Sequence, residues 1–197
     1  MRSAFDKLIS WTGLALAVVL LVAGGLLTWA NTFINDQVVD QLSMQNITMP
    51  EGDALTSLPQ GDAAALEEYA GSPLDTGAEA KAYADHYILV HMNEASNGQT
   101  YSEVSGQYVA MTDEQKASEE GQALGGLRQT LFMGSTLRGL LLYGYAFATM
   151  GTIAGIAAIV SFAGAAFLLA LFALGLVHAR RAAKADATVT TPSLATA

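Results

Sequence analysis

Residues 85–94, DHYILVHMNE, hold two of the chain's three histidines together with two carboxylates. Imidazole and carboxylate are the ligands that zinc and non-haem iron take, so the stretch invites a reading as a metal site. Its spacing argues against one. On a helix, residues five apart point about 140° apart, so His86 and His91 do not face a common ion. The zinc-protease helix needs histidines four apart with a glutamate beside the first, and that pattern is missing. His86 has no carboxylate three or four positions away. His91 has Glu94 at three, the spacing of an ordinary helix-surface contact. A two-histidine, one-carboxylate iron centre would need ligands from elsewhere in the chain. His91 therefore reads as the edge of an amphipathic helix and His86 as a solvent-facing residue. No metal and no cofactor is implied.

The remaining chemistry-bearing residues are weaker still. The serines of GQTYSEVSG (98–106) lack the glycines two either side that make a nucleophile elbow. The acid pairs Glu67–Glu68 and Glu119–Glu120 are neighbours in sequence, whereas acid–base pairs must converge across a cleft. VAGGLL has no lysine and sits in an apolar run, so it is no phosphate loop. With no cysteine in the chain, disulfides, thiolate metal sites and cysteine nucleophiles are excluded.

The elements that carry these residues are legible. Thr76 stands three before Glu79, the capping-box spacing, ahead of an apolar-periodic run. Ala80, Tyr83, Ala84, Tyr87, Ile88 and His91 share one face of the helix it starts, and SNG at 96–98 stops it. Tyr83, Tyr87, His91 and Glu94 are the candidate ligand surface. Thr100 with Glu103, and Thr112 with Gln115, repeat the capping pattern. The second pair predicts a helix running past Leu124, Leu127 and Leu131. A short helix is expected from Asp62 through Ala70, and residues 31–47 continue an earlier helix. No pair of alternating runs flanks a hairpin turn, so the middle of the chain reads as all-α.

Around that middle the composition changes. The 197-residue chain is 52 % hydrophobic and 14 % charged, with a net charge of -9. Residues 31–138 carry 16 acidic and 4 basic side chains. An excess of this size leaves no footprint for nucleic acid. Residues 8–35 carry no charge at all. About 20 helical residues cross a hydrocarbon core of about 30 Å, and Trp11 and Trp29 near the ends suit its two interfaces. A cleaved signal peptide ending at Ala30 is the rival reading, but the long apolar run and the bulky Trp29 favour an uncleaved anchor.

The second uncharged run, 139–179, is too long for one straight span. Its later part, 152–177, is a full span by itself, and the earlier part, with Tyr143 and Tyr145 after Arg138, reads as an interfacial segment. A hairpin would make three spans, but it would put Arg180, Arg181 and Lys184 outside, against the charge rule. Gly151 and Gly155, with Ala154 and Ala158, set small residues four apart, the pattern of a close helix-packing face in lipid. The partner of that face is the first span, another membrane protein or a second copy.

The expected fold is thus an all-α membrane protein with two transmembrane helices and a small helical extracytoplasmic domain between them. Its segments are a cytoplasmic N-terminus (1–7), transmembrane helix 1 (8–30), an acidic helical domain (31–138), the interfacial segment (139–151), transmembrane helix 2 (152–177) and a disordered cytoplasmic tail (178–197).

Several stretches together resemble a known family. They are MRSAFDKL with VVLLVAGGLLTWA, TGAEAKAYADHYI with GQTYSEVS, TLRGLLLYGYAF, IAAIV and HARR. In these the chain resembles a family of short actinobacterial membrane proteins of Streptomyces-like organisms. The resemblance covers most of the chain, loosely over 49–71 and the tail. It implies a two-span protein of the cell membrane with both termini cytoplasmic, and it supplies no catalytic residue. Some members bear the name of an aromatic ring-opening dioxygenase, a soluble, metal-dependent class whose size and convergent iron site this chain does not show. The function expected is that of a non-enzymatic accessory or interaction subunit of the envelope. Its partners would be the lipid bilayer and another membrane protein or a second copy. An extracytoplasmic module that binds a ligand or cation is the alternative, and the ring-opening dioxygenase is the third.

Overall fold

The computed structural model describes residues 2–189, with side chains from 7 to 182. Eight α-helices succeed one another: α1 (Arg2–Ser43), α2 (Asp53–Thr56), α3 (Gln60–Leu66), α4 (Gly77–Tyr83), α5 (Leu89–Ser96), α6 (Tyr101–Ala110), α7 (Asp113–Ala117) and α8 (Glu119–Val189). A 3-10 turn, Glu67–Tyr69, extends α3, and a π turn, Ala84–Ile88, joins α4 to α5. Among the described residues the one extended pairing is an isolated bridge between Thr48 and Pro73. The fold is all-α, with two long apolar helices and a helical segment between them.

Two compact units divide the chain. One is Phe33–Gly151; the other comprises the residues on either side of it. In the flanking unit, α1 and α8 run antiparallel. Trp11 meets Phe172 edge-on at 5.8 Å between ring centroids. A side-chain carbon at Gly164 would come 3.2 Å from Leu20, and one at Gly155 3.0 Å from Asn31 Nδ2. Gly24 gives the room that the Phe162 ring fills, since a side-chain carbon there would come 2.9 Å from it. Small residues thus set the approach of these helices, as they do wherever backbones must come close without large side chains between them. The outward faces are apolar: Leu8, Trp11, Val19 and Trp29 on α1, and Ile153, Ile159, Phe167 and Leu174 on α8, are all exposed. Lys7–Ser43 and Glu119–Ala182 are long and apolar enough to cross a membrane.

Three expected boundaries differ. α8 runs unbroken through 139–151 and 152–177, with neither a hairpin nor a change of element between them. At 1.5 Å per residue its 71 residues extend about 107 Å, several times a hydrocarbon core. The tail expected to be disordered from 178 continues as helix to Val189; no glycine or proline interrupts it there, and alanine is the best helix former. The last part of that tail, 190–197, lies outside the described residues. The third difference is at Ser118, where the helix expected to run from Thr112 past Leu131 breaks. The Ser118 hydroxyl accepts from Gly121 N at 3.2 Å and starts α8 afresh. Gly121 is needed there, since a side-chain carbon would fall on the Gln115 carbonyl and 2.7 Å from Lys116 Cα.

The unit Phe33–Gly151 has its own core, built from Val38, Leu42, Met49, Leu58, Leu66, Leu74, Val90 and Leu141 with Ala80, Ala82 and Ala84. The loop after α1 pairs with the loop before α4: Met49 N donates to Ser72 O at 2.9 Å and Leu74 N to Ile47 O at 2.9 Å. Glu79 locks that loop to α4. Its carboxylate accepts from Asp75 N (3.0 Å), Thr76 N (2.9 Å), the Thr76 hydroxyl (2.9 Å) and the Ser72 hydroxyl (3.0 Å). Thr76 completes the capping box by accepting from Glu79 N. The same reciprocal pair caps α6 at Thr100–Glu103 and α7 at Thr112–Gln115. α6 then lies antiparallel along α8: Tyr101 meets Phe132 at 5.7 Å, Arg128 Nε donates to the Ser105 hydroxyl at 3.1 Å, and the Tyr108 ring sits over Gly125.

Candidate functional site

The π turn is where the polar groups gather. One extra residue per turn rotates the side chains beyond it, so neighbours in sequence reach different elements; such turns are frequent at functional positions. Asp85 and His86 are the case in point. Asp85 Oδ2 accepts from Lys81 Nζ at 2.6 Å, one turn back, and Oδ1 from Arg138 Nη2 at 2.7 Å, on α8. His86 turns the other way, and its Nδ1 donates to Asp62 Oδ1 of α3 at 2.8 Å. That bond leaves Nε2 as the acceptor of the neutral ring. His86 is thus half-exposed, in keeping with a solvent-facing residue, and is in addition bonded to a carboxylate 24 residues away. His86, Lys81, Glu68, Tyr69, Ala65 and Tyr145 line a shallow cleft of about 230 Å³.

Electrostatics derive from these contacts. Burial opposes the charge on Asp85, but the bonds from Lys81 and Arg138 outweigh it and hold the carboxyl below its usual range. The Asp85 bond in turn raises Lys81. Burial also opposes ionisation of Glu79, which the backbone donors of Asp75 and Thr76 and the hydroxyls of Thr76 and Ser72 overcome. Tyr69 is pushed up, first by its hydrogen bond to Glu68 and then by burial. Arg138 Nε is buried without a hydrogen-bond partner, which leaves part of that guanidinium unsatisfied.

Of the candidate ligand surface, three residues come together. Tyr83 and Tyr87 stack at 4.8 Å between centroids, and His91 lies 4.4 Å from Tyr87. His91 Nδ1 donates to the Tyr87 carbonyl at 2.8 Å, which holds the imidazole against the ladder. Burial raises the Tyr83 hydroxyl. Glu94 is exposed on α5. His86 and His91 bond to different partners on different sides, and no group of three or more metal-ligating side chains occurs among the described residues.

The small-residue positions lie on the side of α8 that faces α1. A side-chain carbon at Gly151 would come 3.0 Å from Asn35 Oδ1, and the one at Gly155 meets Asn31. Ala158 is buried and Ala154 half-buried. The face is therefore occupied within the chain at these positions.

Sequence reasoning missed the links from Asp62 to His86 and from Asp85 to Arg138. Each joins residues 24 or 53 apart, beyond any helical periodicity. One clue was present: Arg138 is a lone cation between apolar residues, a position that calls for a counter-ion. Compared with protein-family models, curated proteins and solved structures, the chain matches none.

Proposed function

We propose that the chain is a two-span integral membrane protein that works as an accessory or interaction subunit, with residues 31–138 forming its extracytoplasmic part. The observation that carries this is the exposure of the two long helices. Only 11 % of the most apolar window of either helix is buried, and the exposed side chains there are large and apolar. In water a surface of that size is an association or aggregation face; in hydrocarbon it is the required one. Arg180 and Arg181 come after the second apolar run, and Lys7 precedes the first, which supports cytoplasmic termini. The polar clusters support binding over catalysis: Asp85, His86 and Glu79 are each committed to tying one element to another. The resemblance to the actinobacterial membrane proteins agrees with this reading.

The chain has no cysteine, so single cysteines report topology without background. Ser102→Cys should react with an impermeant thiol reagent in intact cells, and Ala182→Cys only after permeabilisation. The reverse pattern would overturn the topology, and release of the protein by carbonate would overturn the membrane reading. Mild-detergent purification from native membranes then tests the role. One membrane partner at fixed stoichiometry, without metal, is the expected result. A lone monomer, or iron at equal stoichiometry, would overturn it.

A further inference from the structure

Four basic residues stand among the 16 acidic ones in 31–138, and their pairing divides them. Lys81 and Arg138 share Asp85. Lys116 and Arg128 have no carboxylate partner among the described residues. Both instead lie over one ring, Tyr108, with Lys116 Nζ 5.8 Å and Arg128 Cζ 5.3 Å from its centroid. Two cations thus meet at one aromatic ring, neither of them in an ion pair among the described residues. Glu103 is engaged in the cap of α6 with Thr100, and Glu114 with its own backbone N–H and the Thr112 hydroxyl at the start of α7; those bonds lower both pKa values.

Arg128 is held in a fixed pose. Its Nε donates to the Ser105 hydroxyl at 3.1 Å and its plane lies by Tyr108. The Tyr101 hydroxyl sits beside it, lowered by hydrogen bonding to Ser105 and then to Arg128. A guanidinium has five N–H donors, so these contacts leave the outer end of the fork with donors to spare. Arg128 borders a cleft of about 240 Å³ that it lines together with Tyr101, Gly125, Gln129 and Phe132. The Tyr101 and Phe132 rings, 5.7 Å apart, give it an apolar wall; Gln129 adds an amide.

We infer that this cleft binds a small organic carboxylate, with the carboxylate on the Arg128 fork and an aromatic or apolar body against Tyr101 and Phe132. A planar fork pairs with a carboxylate through two parallel bonds, and a pre-positioned side chain loses little freedom on binding. Lys116 adds attraction without direct contact. The volume admits a single-ring acid. The cleft lies wholly within Phe33–Gly151, so it stands or falls separately from the membrane reading.

Benzoate is the probe, with benzamide as its uncharged isostere and inorganic phosphate as an anion without an apolar body. Binding is read by ligand-observed NMR on the full chain in lipid nanodiscs, where empty nanodiscs correct for partition into lipid. Benzoate should saturate one site with a Kd on the order of 1 mM, and benzamide should bind at least about tenfold more weakly. Arg128→Gln should weaken benzoate about tenfold or more, Phe132→Ala and Lys116→Ala a few-fold each, and Arg128→Lys should recover only part of the loss. Amide exchange of 101–132 checks that each variant is folded; should Arg128→Gln fail, Phe132→Ala and Lys116→Ala carry the same test. Equal binding of benzamide, no saturable benzoate binding, or binding indifferent to Arg128 would overturn the site. Phosphate binding as tightly as benzoate, with no effect of Phe132→Ala, would overturn the ligand class.

Discussion

Arg138 Nη2 donates to Asp85 Oδ1 at 2.7 Å, joining the long helix α8 to the π turn across 53 residues of sequence. Asp85 is 21 % exposed and Arg138 32 %, so the pair is partly withdrawn from water. Lys81, at 44 %, is the more solvated partner. Removing Arg138 leaves a half-buried carboxylate with one screened cation. Arg138→Ala is therefore expected to destabilise Phe33–Gly151 by about 1–3 kcal/mol, and Lys81→Ala by less than about 1 kcal/mol. Asp85→Asn in the Arg138→Ala background should recover part of the loss, because it removes the orphaned charge. Amide exchange across 84–96 reads all three; an equal effect of Lys81→Ala and Arg138→Ala would refute the assignment of Arg138 as the main tie.

Acid should loosen the same unit. The pKa values of Asp85 and Glu79 are both lowered in the folded chain. A depressed carboxylate stabilises the fold at pH above its unfolded value and loses that contribution as pH falls through the folded one. Unfolded Asp and Glu titrate near about 3.9 and 4.3, so the loss begins below about pH 4. Glu79 holds the loop 72–76 through four accepted bonds, and its protonation takes the charge from all of them and turns one oxygen into a donor. Protection of the amides of 72–80, corrected for the intrinsic pH dependence of exchange, should fall as pH drops below about 4 in the native chain. Glu79→Gln should exchange faster at neutral pH and show a flatter acid response. An unchanged acid response in that variant would show that Glu79 is not the titrating group.

The local signals were legible because their physics is local. Thr76 with Glu79, Thr100 with Glu103 and Thr112 with Gln115 are three-residue patterns, and the structure has both halves of each box. The long apolar runs needed only their length. Asn97, which adopts a left-handed conformation (φ 53°), ends α5 where the SNG signal stood. What stayed hidden depends on distant partners. Nothing in ADHYI distinguishes a π turn from an α turn until Arg138 and Asp62 pull on adjacent residues. Ser118 stands directly ahead of the acids Glu119 and Glu120, which is the residue order of a helix start, but the apolar period of Leu124, Leu127 and Leu131 is the same whether the helix begins at Thr112 or at Ser118. The Ile47–Met49 pairing with Ser72–Leu74 has too few residues to show alternation.

The Asp62–His86 bond should matter far less to stability than the Asp85–Arg138 one. Member for member it is the more exposed pair, with Asp62 at 28 % against Asp85 at 21 % and His86 at 36 % against Arg138 at 32 %, and it has no second cation on the carboxylate. Exposed pairs contribute about 0–1 kcal/mol. Asp62→Asn is expected to change unfolding by less than about 1 kcal/mol and to leave amide exchange of α8 untouched. Its visible effect should be local: the 15N signals of the His86 ring should lose the preference for a proton on Nδ1 that the carboxylate imposes. A ring spectrum identical to that of the native chain would mean the bond does not persist in solution.

Gly77 opens α4 against the backbone of α8, and the fit there is close enough to test by paired substitutions. A side-chain carbon at Gly77 would fall on Ala148 Cβ and 3.2 Å from Tyr145 Cα. The first obstacle is a methyl group that can be deleted; the second is backbone, which can only shift. Gly77→Ala is expected to cost about 1–3 kcal/mol through overpacking, despite the lower conformational entropy that alanine gives the unfolded chain. Ala148→Gly alone should cost about 1 kcal/mol as a glycine within a helix. The two effects should not add: the double variant should recover a measurable part of the Gly77→Ala loss, since the clashing methyl is gone. Unfolding in denaturant, monitored through the tyrosines of 33–151, gives the coupling energy. Simple additivity would mean that α4 and α8 do not approach this closely, and the tie from Asp85 to Arg138 would then be stretched as well, because it joins α8 to the π turn that continues α4.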